Sequence, residues 1–147
     1  SHMCFMGRRE LLGDEVGERM RWAEELTATP DPAMTLCIAF AYGGRAEIVD
    51  AARAAITAAD GNVDALTEQT LRAHLYRPEL GDPDLIIRTA GEERTSNFLT
   101  WQSAYSELVF TDTLWPDFGE ADLAAAIDEY ATRERRFGGR VDPAVQQ

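Results

Sequence analysis

After Ile87 the chain reads Arg88-Thr89-Ala90-Gly91-Glu92-Glu93-Arg94-Thr95-Ser96-Asn97-Phe98, then Trp101-Gln102 and Tyr105-Ser106-Glu107. Arg88 and Arg94 stand six residues apart across a loop-type segment, a spacing that lets both converge on one anion. Guanidinium forks match phosphate oxygens two at a time and stay charged at any working pH. Gly91 frees the backbone for a tight path, and the Ser96 hydroxyl adds a further donor. Glu107 is a hard carboxylate of the type that holds Mg²⁺ against phosphate oxygens. Residue types alone leave a second reading open. The arginines could simply pair with Glu92 and Glu93, with Glu92 orienting one of them.

The elements that must position these groups are legible as short apolar runs alternating with helical patterns. Residues 34–41 are nearly all apolar, which suits a strand buried on both faces. Tyr42-Gly43-Gly44 then leads into a helix over residues 45–58, with Ile48, Ala52 and Ile56 on one side. Upstream, residues 4–6 read as a short strand. Residues 14–28 read as a helix with Val16, Met20, Ala23 and Leu26 on one stripe, broken by Thr29-Pro30-Asp31-Pro32. A further helix is expected over 67–75, and strands over 84–88 and 108–110. A last helix over 120–136 turns Leu123, Ile127 and Tyr130 inward and stops at Gly138-Gly139. Such alternation implies an α/β fold with a partial parallel sheet flanked by helices. Ligands in such sheets sit beyond the carboxyl ends of strands, where both the 42–45 turn and the 88–92 segment fall.

Composition bounds the alternatives. The 147 residues suit one domain, and 45% hydrophobic with 27% charged residues is ordinary for a globular protein. Ser1-His2-Met3 has the look of a cloning remnant, which leaves 4–147 as a single domain. A net charge of −12 disfavours nucleic acid as a partner. Arg133-Glu134-Arg135-Arg136 is too short for a nucleic-acid patch and suits cations at a helix carboxyl end. No apolar run reaches membrane-spanning length. Cys4 and Cys37 make neither a CxxC pair nor a disulfide framework, so a reduced, cytoplasmic setting is expected, with peripheral membrane contact left open. Trp101, Tyr105 and Trp115 are expected in the core, and His74 at the end of a polar helix, exposed.

The order of residues says more than their types. Arg88, Thr89, Gly91, Glu92, Arg94, Ser96, Asn97, Phe98, Trp101, Gln102, Tyr105 and Glu107 follow the pattern of the cis-prenyltransferases, whose best-known members make undecaprenyl diphosphate. The likeness continues through Phe110-Thr111-Asp112, Leu114-Trp115-Pro116-Asp117-Phe118 and Arg133-Glu134-Arg135-Arg136-Phe137-Gly138, and upstream through Tyr42-Gly43-Gly44-Arg45 and Glu47-Ile48-Val49. The chain thus resembles that family over nearly its whole length. The resemblance implies that Arg88, Arg94 and Ser96 grip the diphosphate of isopentenyl diphosphate. It further implies that Glu107 helps hold Mg²⁺, and that Arg136 and Gly138 reach a diphosphate site, typically that of a neighbouring subunit. The implied reaction extends an allylic diphosphate with isopentenyl diphosphate and leaves a Z double bond.

Departures from the family pattern shape the expectation. Ala41 stands where Asn is usual, and Glu93 places extra negative charge beside the presumed diphosphate. The family's Asp-Gly-Asn-x-Arg-Trp-Ala stretch has no counterpart; Arg21-Trp22-Ala23 lies inside a predicted helix without the Asp-Gly-Asn. The chain therefore resembles the C-terminal half of the family fold, with no catalytic residue expected to suffice alone. One half of a split or heteromeric prenyltransferase is the first reading. A truncated, inactive fragment and a non-catalytic accessory subunit are the alternatives. A partner protein, a homo-oligomer or both are expected to cover the apolar surface and sheet edge that remain.

Overall fold

Two short parallel ladders carry the fold, each built from the apolar runs seen in the sequence. A computed structural model of the chain describes residues 1–133, which fall into two units. The first comprises residues 1–81 and 97–101; the second comprises 82–96 and 102–133.

In the first unit β1 (His2–Met6) pairs in parallel with β2 (Thr35–Ala39), with Cys4 opposite Cys37. The strand thus begins within the three residues that read as a cloning remnant. Both cysteines are free thiols; burial, with Cys4 beside it, pushes the Cys37 thiol up to about 12. Helix α1 (Asp14–Thr27) makes the crossover. Of its expected stripe only Met20 is buried, while Val16 and Leu26 are exposed. A two-stranded sheet is too narrow to cover a whole helical stripe.

Helix α2 (Gly44–Ala58) buries Gly44, Glu47, Ala51 and Ala55, a face turned from the predicted Ile48, Ala52 and Ile56, which are half-buried. Small residues on that face let α3 (Glu68–Arg72) approach closely. Ala51, Leu71 and Leu75 form the core there, with Ile48, Ala52, Leu66 and Trp101 packed against it. Thr67 and Thr70 cap α3 reciprocally.

In the second unit β3 (Leu85–Arg88) pairs in parallel with β4 (Glu107–Phe110), and α4 (Glu120–Ala131) follows. Asp122 accepts from the Gly119 N–H and the Thr113 hydroxyl, both at 2.9 Å, and these bonds hold its carboxyl below the usual range. The face of α4 differs from the sequence expectation. Ala126 is buried, whereas Leu123 and Ile127 are 43% and 49% exposed. The helix ends at Ala131, and the remainder of the predicted 120–136 helix beyond Arg133 lies outside the described residues. Parallel strands joined through helices make this an α/β fold, as the alternation implied. No helix among the described residues is long and apolar enough to cross a membrane.

Candidate anion site beyond strand β3

Arg88 closes β3 and is half-buried, and its Nε is buried without a hydrogen-bond partner among the described residues. A buried donor left unpaired costs about 1–3 kcal/mol, which an incoming anion would relieve. The backbone beyond it is clipped to the segment that follows β4. Ala90 N–H donates to Thr113 O at 2.9 Å, Gly91 N–H to Thr111 O at 3.0 Å, and Thr111 N–H to Arg88 O at 2.9 Å. Ala90 and Gly91 both have φ of 65°, and a Cβ on Gly91 would lie 3.1 Å from Asp112 Oδ1. Gly91 is therefore required both for its conformation and for its clearance.

Arg94 is exposed and pairs with Glu92, so the reading in which Glu92 engages an arginine holds for Arg94. Ser96 is exposed with φ of 49°, and Asn97 and Leu99 follow with φ of 65° and 47°. Left-handed non-glycine residues cost about 1–3 kcal/mol each and concentrate at ligand clamps. Arg88, Arg94 and Ser96 thus share one constrained loop at the carboxyl end of β3.

Glu107 stands elsewhere. It opens β4 opposite Leu85, three residues before Arg88, or about 10 Å along the strands at roughly 3.3 Å per residue. Its Oε2 accepts from Arg133 Nη1 at 3.0 Å, and the same nitrogen donates to Leu108 O at 2.8 Å. Arg133 also pairs with Glu129, and the Glu107 and Glu129 carboxylates raise its pKa. The sequence offered Arg133 as a helix-end cation and as part of a family-like run, not as the partner of Glu107; the Glu129–Arg133 spacing of one helical turn was the available signal for its pair with Glu129. No group of three His, Cys, Asp or Glu that could hold a metal ion occurs among the described residues. Glu107, already held by a guanidinium, does not make a Mg²⁺ site by itself. Arg136 and Gly138 lie outside the described residues.

In the first unit, the 42–45 turn proves to be more than a strand-to-helix bend. Asn97 O accepts from Gly44 N–H at 2.8 Å, and its Oδ1 accepts from Arg45 N–H at 2.9 Å, capping α2 from outside the helix. A Cβ on Gly43 would lie 2.9 Å from Asn97 Nδ2, and one on Gly44 2.3 Å from Thr100 Oγ1. Fully buried Glu47 accepts from the Tyr42 hydroxyl at 2.5 Å and from Tyr76 N–H at 2.9 Å. Burial and then Glu47 push the Tyr42 phenol well above its ordinary range. Trp101 packs on the core as expected, but Tyr105 and Trp115 are 63% and 75% exposed, against the core reading. Trp115 instead stacks on Phe118. His74 is half-buried, its Nδ1 2.7 Å from Thr70 O.

Comparison with known proteins places this geometry in context. A family model described as undecaprenyl diphosphate synthase matches residues 1–138. An isoprenyl transferase of Thermotoga maritima is 52% identical over 94% of this chain and 59% of its own length. A (2Z,6E)-farnesyl diphosphate synthase of Mycolicibacterium smegmatis is 45% identical over 90% of this chain and 53% of its own length. The crystal structure of lavandulyl diphosphate synthase from Lavandula x intermedia, in complex with dimethylallyl diphosphate, superposes with a TM-score of 0.83 at 39% identity. That match covers 93% of this chain and 60% of the other. The chain spans about half to three-fifths of the length of the curated relatives it matches.

Proposed function

Because the chain belongs to the undecaprenyl diphosphate synthase family, we propose that it supplies the isopentenyl diphosphate site of a cis-prenyltransferase completed by a second polypeptide. The observation that carries this reading is the half-buried Arg88, whose Nε has no hydrogen-bond partner among the described residues, at the mouth of a constrained loop that also bears Arg94 and Ser96. In the reaction the allylic diphosphate leaves, the isopentenyl double bond attacks the allylic carbon, and proton loss fixes a Z double bond. Arg88, Arg94 and Ser96 bind and orient the diphosphate of the attacking substrate; Arg136 and Gly138 are assigned to the same task. Glu107 would offer a carboxylate to Mg²⁺ if it released Arg133, with water and diphosphate oxygens supplying further ligands.

The test is incorporation of labelled isopentenyl diphosphate onto an allylic diphosphate with Mg²⁺, assayed with and without the portion of the Thermotoga maritima relative that this chain does not match. The expected result is no incorporation by the lone chain and measurable incorporation by the pair. Arg94→Ala should lower the paired activity by about 10- to 100-fold, the worth of a charge-assisted contact of roughly 1.5–3 kcal/mol. Turnover by the lone chain would refute the split reading. A second reading, a non-catalytic accessory subunit, is favoured by the Arg94–Glu92 pair, which already occupies one of the guanidinium forks. It predicts a pair that associates and incorporates nothing.

A further inference from the structure

Cys4 and Cys37 stand opposite each other at the middle of the β1–β2 ladder, and the functional reading above uses neither. Side chains alternate along a strand, and in-register partners of a parallel pair point to the same face. Cys4 and Met6 share one face of β1, and both are buried. Phe5 points to the other face, where it lines a cavity with Val16 and Met20 of α1. Both cysteines are free, and a hydrogen bond joins the two thiols.

The backbone holds this pair in place. His2 N–H donates to Met34 O and Phe40 N–H to Met6 O, each at 2.9 Å, framing the ladder at both ends. The residues on either side of Cys4 are anchored as well. Met3 N–H donates to Thr27 Oγ1 at 2.9 Å, and Phe5 N–H to Glu24 Oε1 at 3.0 Å. Phe5 O accepts from Arg77 Nε at 3.1 Å and from its Nη2 at 2.9 Å. Neighbouring strands run about 4.8 Å apart. That spacing falls inside the roughly 4.4–6.8 Å between Cα atoms that a disulfide spans.

We propose that Cys4 and Cys37 are a reversible dithiol–disulfide pair, whose closure by a hydroperoxide locks β1 to β2 across the α1 crossover. Cys4 is 2% exposed and Cys37 only half-buried, so the oxidant meets Cys37 first. The Cys37 thiolate attacks one peroxide oxygen and the O–O bond breaks. The other oxygen leaves as hydroxide, takes up the thiol's proton and becomes water, and Cys37 is left as a sulfenic acid. The Cys4 sulfur then attacks the Cys37 sulfur, and its proton departs with the sulfenic oxygen as a second water. Two thiols have lost two electrons and two protons, and one hydrogen peroxide has become two waters. A small dithiol reverses the closure and is itself oxidised to a disulfide. Burial keeps Cys37 protonated at neutral pH, which makes the first step slow. The second is fast by comparison, because its two sulfurs are already in contact. In a reducing compartment the pair rests as thiols and closes only when oxidant rises. This inference does not depend on prenyl transfer.

Treating the reduced chain with hydrogen peroxide, without denaturant, tests it through unreduced peptide maps and melting temperature. The expected product is a monomer in which the Cys4 and Cys37 peptides are linked with the loss of two hydrogen atoms. Its melting temperature should rise by about 5 °C or more, because the cross-link restricts the unfolded crossover, and dithiothreitol should reverse the rise. Cys37→Ser should abolish both the link and the rise. Cys4→Ala should do the same and leave a Cys37 sulfenic acid that dimedone traps at least about 10-fold more than in the parent. Either variant decides the matter if the other fails to fold. Disulfide-linked dimers, a persistent sulfenic or sulfinic acid in the parent, or thiols that survive millimolar peroxide would each overturn the proposal. So would a link that forms only in urea, or one that lowers the melting temperature.

Discussion

A methyl group at Gly44 would sit 2.3 Å from Thr100 Oγ1 and 2.8 Å from the Thr100 backbone nitrogen. The side chain could turn away; the backbone nitrogen could not. Without that contact, Gly44→Ala in a helix would stabilise by up to about 1 kcal/mol. With it, destabilisation by about 1–3 kcal/mol is expected, so the sign of the shift in urea midpoint decides the matter. Thr100→Ala in the same chain should restore only part of the loss, since the backbone contact remains. The Gly-Gly pair was visible in the sequence as a turn and as a family-like element. Its physical reason was not, because Thr100 lies far downstream and no local pattern announces it. The same holds for Glu107, whose type suggested a metal ligand while its guanidinium partner comes from the distant Arg133. By contrast the Arg94–Glu92 pair was open to view, two residues apart in one loop.

At the scale of elements, the apolar runs located β1 to β4 within a few residues, and periodicity placed α1 and α2 almost to the residue. The buried faces were less legible. Met20 alone is covered on α1, and Ala126 replaces Leu123 and Ile127 on α4, because a narrow sheet leaves most of a helical stripe in solvent. The side-chain seal along β1 was hidden as well, since it joins Met3 N–H to Thr27, Phe5 N–H to Glu24 and Phe5 O to Arg77. Glu24 is the centre of that seal, accepting from Phe5 N–H, Arg9 and Arg77. Burial pushes its carboxyl up, but the bonds from Arg9 and Phe5, with the charges of Arg9 and Arg77, outweigh it and leave it below the ordinary 4.5. A depressed folded-state pKa stabilises above the unfolded value, and the stabilisation is lost as pH falls through the folded one. Asp50, held below 3.8 chiefly by Arg8, acts in the same direction. Stability should therefore fall as pH drops below about 4.5. Glu24→Gln should cost about 1–3 kcal/mol at neutral pH and flatten that fall. Urea midpoints between neutral and acidic pH would show it; parallel curves for the parent and Glu24→Gln would refute the assignment.

For the molecule as a whole, the family was legible from ordered motifs, and the α/β class from alternation. What the chain can do alone depends on groups that no motif supplies. A hard divalent cation takes about six oxygen ligands. The described residues gather no three acidic or imidazole groups in one place, and the Glu107 carboxylate is held by Arg133. A net charge of −12 nonetheless attracts cations diffusely, so any salt will stabilise slightly through screening. Specific binding adds a further increment that grows with the logarithm of ligand concentration. For the lone chain, Mg²⁺ should raise the melting temperature no more than Ca²⁺ or Na⁺ at equal ionic strength, within about 1 °C. For the chain paired with the complementary segment, isopentenyl diphosphate with Mg²⁺ should raise it beyond the salt control. Thermal scans across these conditions separate the cases. A Mg²⁺-specific rise in the lone chain that disappears in Glu107→Gln would mean that Glu107 leaves Arg133 to form a metal site within this chain, and that the second polypeptide is not needed to build it.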